Sequence, residues 1–260
     1  MKKYFTISCC SFSLIIFSLS SKAQKNAYTI TYEEKANIEN QLKNVTDPET
    51  RKRVAAHLSK SRKFVLYIQG GTSLYKELSS DPDAQKKQGD KLSIDAEGRN
   101  VRTQTIDLGK GGSGVYKNIK ENIYLNEINL FGKNFLIKDK LLAIDWQLLP
   151  ETKKIGTLDC KKAKATVNGE DLEAWYAPSI PIAFGPSDYQ GLPGLIVELH
   201  APKKSYYAIN VAKNKENVDF SMPSKGEAIT REEFKKIQTE KMEAFKRDQA
   251  KMFGGMPGGR

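Results

Sequence analysis

The chain is poor in the side chains that most often carry proton transfer, nucleophilic attack or metal ligation. Its 260 residues include two histidines, His57 and His200, and three cysteines, Cys9, Cys10 and Cys160. There is no H-E-x-x-H, C-x-x-C or G-x-S-x-G pattern, and the glycine run at 109–114 lacks the spacing of a phosphate-binding loop and reads as a flexible turn. Cys160, His200, Met252 and Met256 are soft ligands that suit copper(I). Against a metal role, a lone cysteine on a strand is more often a small buried hydrophobe. The 31 acidic residues leave a carboxylate-based site open, because sequence does not show which acids meet. The expectation is therefore a protein with no catalytic set, no metal and no cofactor. The copper and carboxylate-enzyme readings stand behind a binding role.

The amino terminus bears on where any such role is exercised. Lys2 and Lys3 precede an apolar and small-residue run over 5–19, and Ser21-Lys22-Ala23 follows. This is the pattern of a secretory signal peptide over 1–23, cleaved after Ala23. The run is too short and too rich in serine to span a bilayer, which takes about 20 apolar residues, and no later stretch comes closer. Cys9 and Cys10 leave with the leader. Cys160 then remains alone and no disulfide can form within the chain. The formal net charge of +11 falls to +8 when Lys2, Lys3 and Lys22 are removed. A basic balance suits an anionic membrane surface or an acidic partner, and export makes nucleic acid the least suitable. The expected location is periplasmic or secreted.

The elements that position the rest are mainly strands. Alternation over 28–32 predicts a half-buried strand, and 64–68 is a second. Asp47-Pro48-Glu49 opens a basic helix running to about Ser59. Residues 79–90 and 109–114 read as loops. From Gly114 to about Asn210, turn signals recur every eight to twelve residues, the rhythm of a continuous antiparallel meander. Its strands are placed at 123–130, 134–138, 144–149, 158–167, 170–177, 195–201 and 206–211. Thr230 and Glu233 form a capping box for a helix to about Met252, with Phe234, Ile237 and Phe245 near one face. The fold class is α+β, mostly β. It is a curved antiparallel, half-barrel-like sheet with a short N-terminal and a C-terminal helix, in one domain over 24–253, with a tail over 254–260.

One hairpin can be read in detail. Asn168-Gly169 supplies the two positive-φ positions of a type I′ turn, which places Val167 opposite Glu170, Lys164 opposite Glu173 and Lys162 opposite Trp175. Trp175 then lies on the polar side, covered by other parts of the chain in preference to open water, since burial of an indole is worth roughly 2 to 3 kcal/mol. Leu158 and Cys160 share that side, so a bulge at Lys161-Lys162 or a local apolar patch is required. The hairpin leads into a long segment with Pro178, Pro181, Pro186 and Pro193, which reads as an ordered loop ending in a type II turn at Pro193-Gly194.

The pattern over this region runs Asp145-Trp146, Lys154-Ile155, Cys160-Lys161-Lys162-Ala163, Ala174-Trp175-Tyr176, Ile180-Pro181, Gly185-Pro186 and Gly191-Leu192-Pro193-Gly194-Leu195-Ile196. It resembles the GLPGLI family, exported proteins of Bacteroidota type with no established biochemical function. The resemblance implies export and a β-rich domain, and it transfers no active site. Trp175, Tyr176, Gly185, Pro186, Gly191, Leu192, Pro193 and Gly194 are the candidate residues, with architecture as the first reading of the motif and a ligand-binding wall as the second. The functional expectation is an exported, non-enzymatic binding or envelope-accessory protein, with an envelope protein or a hydrophobic small ligand as partner. A carrier holding such a ligand in the curved-sheet groove is the first alternative. Amino-terminal sequencing of protein recovered from its own cells should begin at Gln24.

Overall fold

In the computed structural model, the described residues are 27–78, 92–94, 100–102, 114–214 and 220–254. The leader, the loop at 79–90, all of 109–114 except Gly114, and the tail beyond Gly254 lie outside them. In chain order the elements are β1 (Ala27–Ala36), α1 (Ile38–Leu42), α2 (Pro48–Leu58), β2 (Arg62–Gln69), β3 (Thr72–Glu77), β4 (Leu92–Ile94), β5 (Asn100–Arg102), β6 (Gly114–Asn118), β7 (Ile123–Leu130) and β8 (Lys133–Asp139). They continue with β9 (Gln147–Ile155), β10 (Leu158–Val167), β11 (Glu170–Ala177), β12 (Leu195–His200), β13 (Lys204–Asn214), β14 (Glu227–Ile229) and α3 (Arg231–Gly254).

Twelve strands form one curved, open sheet in the order β14-β8-β7-β6-β3-β2-β1-β13-β12-β11-β10-β9, while β4 and β5 pair separately. Every pairing in the large sheet is antiparallel except β14 with β8, which is parallel. The expected continuous meander is thus corrected to two meanders, joined where β1 pairs with β2 on one side and β13 on the other. The strand placed at 144–149 is corrected as well: β9 begins at Gln147 and runs through Pro150 to Ile155. Proline is tolerated there because β9 is the edge of the sheet.

Strands β8 and β9 are consecutive in sequence, yet ten strand spacings separate them in the sheet. On a flat sheet that is about 48 Å at ~4.8 Å per spacing. The chain from Asp139 to Gln147 reaches at most about 28 Å. The crossover therefore requires the sheet to curl until its two edges approach each other.

The face turned inward carries the core. Ile30, Tyr32, Leu66 and Ile68 are fully buried there, joined by Tyr75, Val115, Phe135 and Ile137. Phe234 of α3 meets Phe135 edge to face, with centroids 5.9 Å apart. The predicted capping box opens α3: Thr230 N–H donates to Glu233 Oε2 at 2.7 Å and Glu233 N–H to Thr230 Oγ at 3.2 Å. The predicted Asp47 cap and Pro48 start of α2 are present too. A small satellite of Leu74, Tyr116 and Leu125, with Phe220, covers part of the other face. Among the described residues no helix is long and apolar enough to cross a membrane.

Candidate functional site

The hairpin expected from Asn168-Gly169 is formed, with φ of +52° and +77° at the turn and Lys162, Lys164 and Val167 opposite Trp175, Glu173 and Glu170. It delivers the chain through β11 into the loop between Ala177 and Leu195, which lodges against the inner face of the sheet. Phe184, Pro186 and Leu192 of this loop are among the most deeply buried side chains.

Its backbone is tied throughout. Ile182 N–H donates to Ile180 O at 2.7 Å and Gly194 N–H to Leu192 O at 2.8 Å, each closing a three-residue turn centred on a proline. The fixed φ of proline is close to that of such inverse γ-turns. Leu195 N–H to Ile180 O, Ile196 N–H to Phe184 O and Gly191 N–H to Ala183 O fold the loop back on itself. The type II turn expected at Pro193-Gly194 is not formed. Positive φ falls at Gly191, +98°, while Gly194 is required for closeness: a Cβ there would sit 2.4 Å from Ala177 O. At Gly185 a Cβ would meet Ile196 at 2.7 Å.

The anchor of the loop is Lys117 on β6, a fully buried lysine. Its Nζ donates to Gly185 O at 3.0 Å and Tyr189 O at 2.9 Å, and lies over the Phe184 ring. Burial pulls the amine down to about 7, with Arg231 pushing the same way and Asp188 opposing. Around it, Tyr124 O–H donates to Asp188 Oδ1 at 3.0 Å and Arg231 covers the Tyr124 ring at 3.7 Å. Burial raises the Tyr124 phenol above its ordinary range and lifts Tyr189 to about 12. Tyr32 O–H reaches Ile196 O at 2.5 Å, and Tyr189 meets Tyr206 edge to face. The crossover holds the far end of the loop: Trp146 Nε1–H donates to Gln190 O at 2.9 Å and Gln190 Nε2–H to Leu142 O at 2.7 Å. A shallow cleft of about 190 Å³ remains beside the loop apex, lined by Ser187, Asp188, Tyr189, Glu170, Leu172 and Leu142 among others. Ser187 holds an unusual φ of +47° there.

The candidate residues do not converge on one site. Gly185, Pro186, Gly191, Leu192, Pro193 and Gly194 all belong to the loop, and Tyr176 faces the same side. Trp175, the neighbour of Tyr176, points to the opposite face by strand alternation. It is covered as expected, with Lys153 Nζ at 4.4 Å and Lys162 Nζ at 5.5 Å from its ring. The irregularity expected at Lys161-Lys162 is present as a register shift between β10 and β9, but its extra residues are on β9 around Pro150. Cys160 stays on the Trp175 side, buried, and burial pushes its thiol up, away from reactivity.

The copper grouping is not assembled. Cys160 on β10 and His200 on β12 are separated by β11, and His200 faces Glu173, across from Lys164. Four strand positions along β10 alone amount to about 13 Å. The His200 ring is engaged by Glu198 at 2.7 Å and Ser205 at 3.0 Å. The Met252 side chain and Met256 lie outside the described residues. Among the described residues no cluster of three or more His, Cys, Asp or Glu has metal-binding geometry. Lys117, Tyr124 and Arg231 were not singled out by sequence. Their only trace is a lysine sharing a strand face with Val115.

A family described as a protein of unknown function, Porph_ging, matches residues 166–198. That stretch is the hairpin turn, β11, the buried loop and most of β12. No curated protein matches the chain. Two solved structures of PNGF-II, in C2 and P21 crystal forms, each superpose with a TM-score of 0.51 at 16% and 17% identity, covering 82% and 81% of this chain. The chain spans about a third of their length, 32% in each. At that identity the likeness is one of fold.

Two outcomes follow from the loop. Gly194→Ala should lower stability by more than about 2 kcal/mol, because rigid backbone must move. Gly169→Ala, at positive φ but with open space, should cost about 1 kcal/mol; urea midpoints compare them. For Lys117, the unfolded chain, with the amine at its ordinary 10.5, binds a proton that the fold releases above about 7. Stability should therefore rise with pH from 7 to about 9, below the range where unfolded tyrosines ionise and reverse the trend. In Lys117→Met that rise should be flattened.

Proposed function

We propose that this is an exported, non-enzymatic binding or envelope-accessory protein whose recognition surface is the outside of the sheet. The observation that carries this reading is the occupied interior. The chain's own loop, pinned by Lys117 and closed over by the crossover, takes the space that a curved sheet otherwise offers to a ligand. The loop is then architecture, and its glycines and prolines answer to backbone proximity and turn closure.

The same packing weighs against carriage of a hydrophobic ligand inside the sheet. The cleft beside the loop is small for an acyl chain, and half of its lining is polar, with Asp188, Glu170, Ser187 and Asn168 beside Leu142, Val167, Leu172 and Tyr189. Those two carboxylates are the observation that favours a carboxylate-based enzyme as the second reading. Export and a periplasmic or secreted location belong to the proposal and rest on the leader-like amino terminus.

Native mass spectrometry of the protein purified from its own envelope fraction tests the reading. A stoichiometric protein or envelope component should be retained. A bare monomer would overturn a stoichiometric binding partner, and a bound acyl lipid would support the carrier in its place.

A further inference from the structure

Helix α2 has the composition of a surface element that the fold does not need for its core. None of its eleven residues is buried. Thr50, Val54, Ala55 and Leu58 are half-buried, and its other residues are exposed. An isolated helix of this length is marginal in water, yet the sequence equips it at both ends. Asp47 Oδ2 accepts from Thr50 N–H at 2.7 Å, Pro48 occupies the first turn, and Ser59 N–H closes on Ala55 O.

The long exposed side chains of this platform include six cations. Arg51, Lys52 and Arg53 stand on the helix, with Lys43 before it and Lys60 and Lys63 after it, all exposed. Among the described residues none of the six lies within ion-pair distance of a carboxylate, whereas Arg62 next to them is paired with Glu34 and Glu77. The exposed acids of the segment are Asp47 and Glu49, and Asp47 is engaged as the cap.

We infer that α2 and its flanks dock the protein on an anionic phospholipid surface. Charge complementarity selects the occupant. Six long cations outside ion-pair distance of the described carboxylates, of which Arg51 also donates to Leu42 O at 3.0 Å and Lys63 stands opposite Glu33 across β1 and β2, recognise a diffuse field of phosphate headgroups. A specific protein interface is centred on buried aromatic or other anchor residues set in pockets, and the described residues of 43–63 expose no aromatic or large apolar side chain. The inference rests on the proposed reading as an exported binding protein and names the surface it meets.

Co-sedimentation with vesicles tests it, using the mature chain with phosphatidylcholine alone and with about a third phosphatidylglycerol. Wild type should bind the anionic vesicles, ignore the neutral ones, and release as salt is raised. The triple variant Arg51→Gln, Lys52→Gln, Arg53→Gln should bind at least about tenfold more weakly. A control of equal net charge, Lys120→Gln, Lys133→Gln, Lys154→Gln, should retain binding, and far-UV circular dichroism verifies that both variants fold. Equal loss in the two variants, equal binding to neutral vesicles, no binding to anionic ones, or equal affinity for soluble polyglutamate would overturn the inference. If vesicle binding is absent while an envelope protein is still retained in the mass spectrum, the lipid surface alone is wrong. A bare monomer in that spectrum alongside intact vesicle binding defeats only the stoichiometric-partner reading.

Discussion

The arrangement depends on an amine enclosed by protein. Lys117 has exchanged water for two backbone carbonyls, Gly185 O and Tyr189 O, with no carboxylate among the described residues within ion-pair distance. Burying an ammonium group is costly unless its donors are used. The loop supplies the acceptors, and the lysine in turn satisfies carbonyls that a buried loop would otherwise leave without partners. Each partner offsets the desolvation of the other. This mutual compensation explains how an irregular segment rich in glycine and proline can occupy the place of a hydrophobic core.

The sheet and the loop are coupled in the same way. The crossover between β8 and β9 draws the two edges together, and the curl creates an interior that must be filled. Trp146 and Gln190 tie that crossover to the loop, and Arg231 ties it to α3 by donating to Lys140 O. Strand β12, which follows the loop, is buried on both faces from Leu195 to Val197 and carries a bulge opposite Trp175 and Tyr176. The bulge shifts the register of β12 against β11 where the loop ends.

Local chemistry was legible in the sequence and distant pairing was not. Asn168-Gly169 determined a register because a two-residue turn leaves no freedom, and Thr230 with Glu233 marked a helix start through contacts three residues apart. The regular spacing of turns located most strands correctly but carried no information on which strands become neighbours, so the break between β8 and β9 went unseen. Gly194 shows a subtler limit. A glycine after proline satisfies a type II turn and a close backbone contact equally well, and only the position of Ala177 distinguishes them. Lys117 was illegible for the same reason: its partners lie about seventy residues away, and nothing in Val115-Tyr116-Lys117-Asn118 indicates which face turns inward.

The pairing of β1 with β13 has a consequence for how the chain reaches this state. Ala27 stands opposite Asn214, so β1 has one neighbour, β2, nearby in sequence and the other, β13, far along the chain. Contacts that close so long a span are slow to form and reward the chain only late in folding. The amino-terminal half must wait with Ile30 and Tyr32 only partly covered until the last meander arrives. Closure of the central seam is thereby linked to the arrival of β13, and β1 is made long before the strand that covers its second edge.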